Sequence, residues 1–580
     1  MLSMITLQGI SVSPGIANAQ VFVIPDQEEN TINTSSIAPS QIEQQWTDFL
    51  QAVEQVKNDI QTLNNPNNAE QCQIFESYSL MLNDTVFIDQ IKKKHSSSLL
   101  HIENVVFTEY KTMADTLRLS GDDYLSQRAD DICDIFGRVI AVLQGNKRFD
   151  FETIPQNCVI VAKNILPTDA FILDKKKPAA LLLQEGSNRG HLAILTRNYG
   201  VPAVFGIGRL CSSIKNGMNV IVDAAQASVY IEPDEQTVEI YKDKMQSQQQ
   251  YNSELASFIE KHAKTKDGTK FGIYANISTV EEAQTAADQG AAGIGLFRTE
   301  FLFISEDRLL SEDEQFEAYK KVLQIMQGKP VVIRTLDSGA DKHTAADSIT
   351  SADEKNPLLG LRAIRLCLSN VELFKIQLRA LYRASVFGNL KIEFPLICCK
   401  EELDKALDIA KQVRAELKSQ KIPFNANVPL GIMVETASAA LSADFLAKYA
   451  DFFSIGTNDL VQYSLGIDRD NPGVAPLFDE FNPSILRMIS FVSESAKKAK
   501  IDLSVCGEMA SSPEGIIILA GLGIRDFSMG AKNISKAKRL LSRFTLKELE
   551  KAAKDVQFFE QGSKIKENLR LLLPNNLYSR

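Results

Sequence analysis

From Lys270 to the C-terminal region the chain repeats one unit eight times, a short apolar run followed by a helical segment. The runs are Phe271–Ser278, Gly293–Arg298, Val331–Asp337, Leu390–Ile397, Leu430–Thr436, Phe452–Asp459, Leu503–Glu508 and Phe527–Gly530. Strands buried on both faces read as continuous apolar runs. Alternation of this kind, eight times over about 300 residues, predicts a closed (β/α)8 barrel of the TIM type. Arg298, Arg334, Asp337, Glu435, Asn458, Asp459 and Cys506 fall at or near the C-terminal ends of these runs. In such a barrel that end carries the chemistry.

The residues before the barrel follow a different rhythm. Residues 1–25 alternate apolar and polar side chains around a Ser13-Pro14-Gly15 turn and read as one or two strands. Ser40-Gln-Ile-Glu43 has the spacing of a capping box. After it Ile42, Trp46, Phe49, Leu50, Val53, Val56, Ile60 and Leu63 recur at three- and four-residue spacing, an amphipathic helix. Further helical patterns cover about 70–83, 86–94, 99–119 and 122–145. Strand character returns at Cys158-Val-Ile-Val-Ala and alternates with helices up to Val229-Tyr-Ile. The expected organisation is therefore multidomain α/β. Residues 1–25 and 147–231 form one α/β domain, interrupted by a helical bundle over 26–146. A polar helical linker covers 232–265, and the barrel covers 266–580.

Composition narrows the function classes. A formal charge of −10 argues against a nucleic-acid surface and allows a basic protein partner. No apolar run approaches the roughly 18 residues of a membrane span. The first residues lack a basic flank followed by a long apolar core, so no secretory signal is expected. The eight cysteines are scattered without CxxC spacing, which predicts a reduced, cytoplasmic protein with no cysteine zinc site.

Four sets of residues carry chemistry. His191 follows an apolar run, Ala180-Leu-Leu-Leu183, and a glycine-bearing loop, and opens a helical pattern. Amide N–H groups and the helix dipole favour negative charge at such a point, and an imidazole there could carry a phosphoryl group. An ordinary loop histidine is the plainer alternative. Arg298, Arg334, Arg362 and Arg469 would set several guanidinium forks around one barrel mouth, suited to phosphate and carboxylate oxygens. Glu435 and Asp459 end consecutive runs, so their carboxylates should meet and repel unless a cation such as Mg²⁺ lies between them. Pairing with a nearby arginine is the alternative. Cys506 ends the seventh run. A lone strand cysteine is most often core filler, but beside arginines and a metal its thiol could give or take a proton.

Several blocks, in order, make the chain similar to a known family. They are Gly9-Ile-Ser-Val-Ser-Pro-Gly-Ile-Ala, Gly293-Ile-Gly-Leu-Phe-Arg-Thr-Glu-Phe-Leu-Phe, Asn356-Pro-Leu-Leu-Gly-Leu-Arg-Ala-Ile-Arg, Gly431-Ile-Met-Val-Glu-Thr, Asp451-Phe-Phe-Ser-Ile-Gly-Thr-Asn-Asp-Leu and Val505-Cys-Gly-Glu. Over nearly its whole length the chain resembles the Enzyme I family of the bacterial phosphotransferase system, the phosphoenolpyruvate–protein phosphotransferases. The resemblance implies that His191 is the phosphorylated nucleophile. It implies that Arg298, Arg334 and Arg362 bind the phosphate of phosphoenolpyruvate, with Asn458, Asp459 and Arg469 also at the substrate. It further implies that Glu435 and Asp459 hold Mg²⁺, and that Cys506 protonates the enolate to pyruvate. The inserted helices would dock an HPr-type carrier, the barrel would form a homodimer, and the pathway would be one of sugar transport.

Some supporting positions depart from the family's usual pattern. The histidine loop reads Gly186-Ser-Asn-Arg189-Gly190-His191-Leu192 where the family usually has Gly-Gly-x-Thr-Ser-His and a small residue. Pro167-Thr168-Asp169-Ala170 replaces Pro-Ser-Asp/Glu-Thr, Asp337-Ser-Gly-Ala340-Asp-Lys342 replaces Asp-x-Gly-Gly-Asp-Lys, and Glu435-Thr-Ala437 replaces Glu-Thr-Pro. Glu393-Phe-Pro-Leu396 stands where Met-Phe-Pro-Met is usual. These changes raise a second expectation, a regulatory protein that binds phosphoenolpyruvate and docks a partner with little turnover.

Overall fold

The computed structural model describes residues 4–25, 32–63, 77–119, 123–145, 149, 151–165, 169, 176–186, 191–208, 214–300, 302, 309–337 and 356–573. For 61–63, 123–127, 130, 152, 191, 194 and 198 it describes the backbone alone. The chain divides into two compact units, residues 1–249 and 250–579, with Arg580 grouped with the first.

The first unit is built on an eight-stranded sheet. Its strands are β1 (Ile5–Gln8), β2 (Ile10–Ser13), β3 (Ile16–Val23), β4 (Val159–Ala162), β5 (Ala180–Leu183), β6 (Ala203–Phe205), β7 (Asn219–Asp223) and β8 (Ser228–Ile231). They lie in the order β1-β8-β7-β3-β4-β5-β6-β2. The expected one or two N-terminal strands are thus three. β1 and β2 form the two edges, and β3 sits inside, parallel to β4 and antiparallel to β7. Side-chain alternation along β4 and β5 explains their unbroken apolar sequence. Val159, Val161, Ala180 and Leu182 enter one core, and Ile160, Ala162, Leu181 and Leu183 enter the other.

The helices between β3 and β4 share that second core. They are α1 (Ile42–Leu63), α2 (Thr85–Ser98), α3 (Ile102–Leu119) and α4 (Asp123–Leu143), and residues 77–82 are also helical. Phe49, Val53 and Val56 of α1, with Ile135, Phe136 and Val139 of α4, pack in one cluster with Ile160 and Leu181 of the sheet. The helix start near Ser40 differs from the expected capping box. A short 3-10 turn, Pro39–Gln41, precedes α1, and the Gln41 carboxamide accepts the Ala38 N–H at 3.0 Å. Proline at the first turn and a side chain reaching back to the entry serve the helix start two positions earlier. A buried polar chain crosses this unit. Arg138 of α4 pairs with Asp134 at 2.9 Å and with Asp169, a helical residue between β4 and β5, at 3.0 Å.

Helix α5 (His191–Asn198) follows β5, and helix α6 (Glu235–Ala256) follows β8. Among its described residues α6 buries Tyr241 alone, whose hydroxyl donates to Asp223 Oδ2 at 3.1 Å. The boundary between the two units falls within α6.

The second unit is a closed parallel barrel. Its strands are β9 (Gly272–Ile277), β10 (Ile294–Arg298), β11 (Pro330–Arg334), β12 (Asn389–Phe394), β13 (Leu430–Val434), β14 (Phe452–Gly456), β15 (Asp502–Cys506) and β16 (Asp526–Met529). β16 closes onto β9, with Met529 opposite Ala275. The strands stop one to three residues before the polar ends of most of the apolar runs. Glu435 and Asp337 lie in the turns beyond β13 and β11, and Asn458 and Asp459 lie in the first turn of the helix Thr457–Leu465.

Candidate active site

The polar residues that follow β10, β11, β13, β14 and β15 converge on one cavity of about 540 Å³ at the C-terminal mouth of the barrel. Arg298, Arg334, Arg362, Glu435, Asn458, Asp459, Arg469 and Cys506 all line it, together with Glu300, Asp337, Met433 and Glu508. Parallel strands of a barrel aim their ends at one mouth, so residues from sequence positions far apart become neighbours there.

The guanidinium groups differ in how they are held. Arg298 ends β10, is half-buried, and makes no ion pair with a described residue. Arg334 ends β11 and is buried. Its Nη2 lies 2.7 Å from Glu300 Oε1 and 3.0 Å from Asp337 Oδ2. Burial alone would lower its pKa, but the carboxylates of Glu300 and Asp337 outweigh burial and hold it well above the ordinary value. Arg362 sits just before the helix Ala363–Ser369. Its Nη2 meets Asp337 Oδ1 at 3.0 Å and its Nη1 donates to the Tyr463 hydroxyl at 3.0 Å. Tyr463 in turn donates to the Leu358 carbonyl at 2.8 Å. Asp337 therefore bridges two arginines and fixes their spacing. The Nε atoms of Arg334 and Arg362 are buried and lack a described hydrogen-bond partner. Arg469 is looser, with Nη1 3.5 Å from Asp459 Oδ1.

Glu435 is fully buried and accepts the Leu396 N–H at 2.6 Å through Oε1. Its Oε2 has no hydrogen-bond partner among the described residues. Burial, then the charges of Asp459 and Asp337, push its pKa well above the usual carboxylate range against the opposing pull of Arg334. An anionic Glu435 is therefore costly unless positive charge comes close. Asn458 is anchored from the far side, its Oδ1 accepting the Glu508 N–H at 3.0 Å.

Cys506 ends β15 and is buried, with Sγ 3.4 Å from Ser454 Oγ and 3.6 Å from the Ile455 carbonyl. Burial, followed by the charge of Glu393, pushes the thiol up to about 12, so it holds its proton at neutral pH. Gly507 follows at φ +113°, where a Cβ would stand 2.2 Å from Thr457 Oγ1. Only glycine lets the chain leave β15 at that angle with the thiol facing the cavity.

His191 is the first residue of α5, eight residues past the end of β5. Gly186, at φ +123°, turns the chain against the Phe205 ring. Arg189 and Gly190 lie outside the described residues, as do Pro167, Thr168, Ala170, Ala340 and Lys342. Leu192 is half-buried against the core shared with the helices.

Three family models match this chain in order. Residues 8–128 match the N-terminal part of the PEP-utilising enzymes, 154–227 their mobile domain and 252–546 their PEP-binding domain. The chain belongs to the PEP-utilising enzyme family. It is 36% identical over 548 residues to the phosphoenolpyruvate-protein phosphotransferase of Priestia megaterium, covering 94% of this chain and 95% of that one. It is 37% identical over 549 residues to that of Bacillus subtilis, with the same coverage. The Staphylococcus aureus protein of that name is 35% identical over 555 residues, 94% of this chain and 96% of that one. The cavity residues of this family member fall within the segment matched by the PEP-binding domain, and His191 within that matched by the mobile domain.

Three site residues escape a reading of the sequence. Glu300 belongs to the quoted Arg298-Thr-Glu300 block, yet nothing in the block says that it grips Arg334 across strands. Tyr463 reaches Arg362 from 101 residues away. Glu393 had a visible signal, an acidic residue in the middle of an apolar run.

Proposed function

We propose that this protein takes the phosphoryl group of phosphoenolpyruvate onto His191 and passes it to a histidine of an HPr-type carrier, with release of pyruvate. The observation that carries the reading is the single cavity in which four arginines share a chamber with two metal-type carboxylates and a protonated thiol. The relatives that align with 94% of the chain bear the name of that phosphotransfer.

In this reading Arg298, Arg334 and Arg362 receive the phosphate, and Arg298 is favoured for it because it has no described ion pair to give up. Asn458, Asp459 and Arg469 orient the rest of the substrate. A phosphate and a carboxylate entering beside Glu300, Asp337, Glu435 and Asp459 add negative charge to a chamber whose arginines are already mostly paired. A divalent cation relieves that excess. Among the described residues no three histidine, cysteine or acidic side chains form a closed metal cage. Mg²⁺ does not need one, since it takes one or two carboxylates and fills its shell with substrate oxygens and water. The unpartnered Oε2 of Glu435, with Asp459 beside it, fits that demand. Bound there, the ion supplies positive charge against the transferring phosphate and the leaving enolate.

A ring nitrogen of His191 attacks phosphorus in line, an N–P bond forms, and the bond from phosphorus to the enol oxygen breaks. Cys506 then gives its proton to the methylene carbon of the enolate, forming pyruvate. The helices α1–α4 serve as the carrier's dock. The barrel forms the homodimer, a role supported by Leu441, Phe445 and Tyr449, which are 65%, 60% and 47% exposed along one stretch of the barrel's helices. The reading implies a cytoplasmic protein, and among the described residues no helix is long and apolar enough to cross a membrane.

Radiolabelled phosphoenolpyruvate with Mg²⁺ should leave an acid-labile label on the protein, absent from His191→Ala, and the label should move to added carrier. Tight phosphoenolpyruvate binding in calorimetry without pyruvate release would instead establish the regulatory binding protein.

A further inference from the structure

Beneath the cavity lies a carboxyl group that the mechanism above does not use. Glu393 is the penultimate residue of β12, in register with Arg334 of β11 and Gly431 of β13. It is fully buried, and neither of its carboxyl oxygens has a well-aligned hydrogen-bond donor among the described residues, the Ser454 hydroxyl beside it being poorly aligned. A buried anion without a donor is among the least favourable arrangements in a protein interior, so the group is expected to be neutral. Arg334 is the nearby cation, but its Nη2 is already held by Glu300 and Asp337. The surroundings agree: burial first, opposed by Arg334 and Ser454, leaves Glu393 pushed up to about 8.

Two neighbours give this acid a direction. Ser454, on β14, adjoins the Glu393 carboxyl and stands 3.4 Å from Cys506 Sγ. After burial, Glu393 is the strongest influence on the Cys506 thiol. A neutral acid, a hydroxyl and a thiol thus lie together under the cavity floor, on β12, β14 and β15.

We propose that Glu393 is a positioning acid for Cys506, which stores a proton beneath it and passes that proton through the Ser454 hydroxyl to the thiolate formed in turnover. This rests on the proposed proton transfer from Cys506. In that step the S–H bond breaks and a C–H bond forms at the enolate carbon, leaving a thiolate. The thiolate takes the Ser454 hydroxyl proton, Ser454 takes the Glu393 proton, and the charge ends on the Glu393 carboxylate, in register with Arg334 on the neighbouring strand. Water returns the proton after pyruvate leaves. Glu393 thereby sets how fast the thiol is recharged.

The test uses the full chain and two variants, Glu393→Met and Glu393→Gln, both uncharged and close in size. Iodoacetamide alkylation of Cys506, mapped by mass spectrometry, is followed from pH 7 to 11. The thiol is faced by Glu393 on β12, Ser454 on β14, Arg334 on β11 and Glu435 beyond β13. Above about pH 8, where Glu393 is ionised, its removal takes a negative charge away from the thiol, so alkylation should begin at a pH lower by roughly one unit in both variants. Steady-state turnover with carrier should show kcat lower by about tenfold with KM for phosphoenolpyruvate unchanged. Wild-type alkylation profiles in both variants would overturn the proposal, as would wild-type kcat. Because alkylation needs no phosphotransfer, a chain that never labels His191 but shows the alkylation shift would fail the functional reading while keeping the link between Glu393 and Cys506.

Discussion

At the scale of single residues, the site is a set of charges that tolerate burial only in company. Arg334 is buried with Glu300, and removing one partner strands the other. Arg334→Met should cost about 3 kcal/mol in the urea unfolding of the barrel, in addition to abolishing phosphoenolpyruvate binding. Glu393 gives a pH signature of the opposite kind. Its folded-state pKa, about 8, lies above its unfolded value, so between the two the native state holds a proton that the unfolded chain has lost. Stability therefore falls as pH rises through that window. Glu393→Met should gain on the wild type between pH 5 and pH 8, by an amount on the order of a few kcal/mol, measured by denaturant titration at both pH values. A constant difference at the two pH values would show that the carboxyl is not neutral in the folded protein.

At the scale of elements, the barrel strands were legible and their ends were not. Two-sided burial writes a strand as an unbroken apolar run, so the eight runs from Phe271 to Gly530 coincide with β9–β16. Glu435, Asn458 and Asp459 follow those runs without a break in spacing, yet they belong to the turns and to a helix's first turn. Sequence pattern marks where apolar burial stops, whereas the backbone hydrogen bonds stop earlier. The arginines and the thiol of the site could be picked out because such groups are rare beside apolar runs. Tyr463 and Glu300 could not, because their roles are contacts made across the barrel by residues of ordinary appearance. The turn after β15 shows how local geometry serves the site. At Gly507 a Cβ would collide with Thr457 Oγ1, in a backbone region that disfavours any side chain. Gly507→Ala should lower the thermal midpoint of the barrel, with a loss of about 1–3 kcal/mol, and reduce kcat by displacing Cys506.

At the scale of the whole molecule, each unit has its own core. The cores of the sheet unit and of the barrel share no residues. Residues 1–249 expressed alone should therefore unfold cooperatively, with far-ultraviolet dichroism of a mixed α/β protein; a non-cooperative melt would count against it. The exposed Leu441, Phe445 and Tyr449 lead to a second expectation at this scale. In the proposed homodimer Phe445→Glu should shift sedimentation of the full chain from dimer toward monomer, since a charge on an apolar interface costs more than one on open surface.

The weaving of the sheet has a consequence for how the chain is made. β1, β2 and β3 leave the ribosome before the rest of the sheet, but β8, the partner of β1, ends at Ile231. At synthesis rates of about 5–20 residues per second, the opening segment waits on the order of ten seconds or more for its neighbours. During that wait the helices α1–α4 emerge and can collapse on local contacts, which form sooner than distant ones. The earliest strands of this sheet are thus among the last of their unit to be hydrogen-bonded, and β1 and β2 stay open to strangers until β8 and β6 emerge.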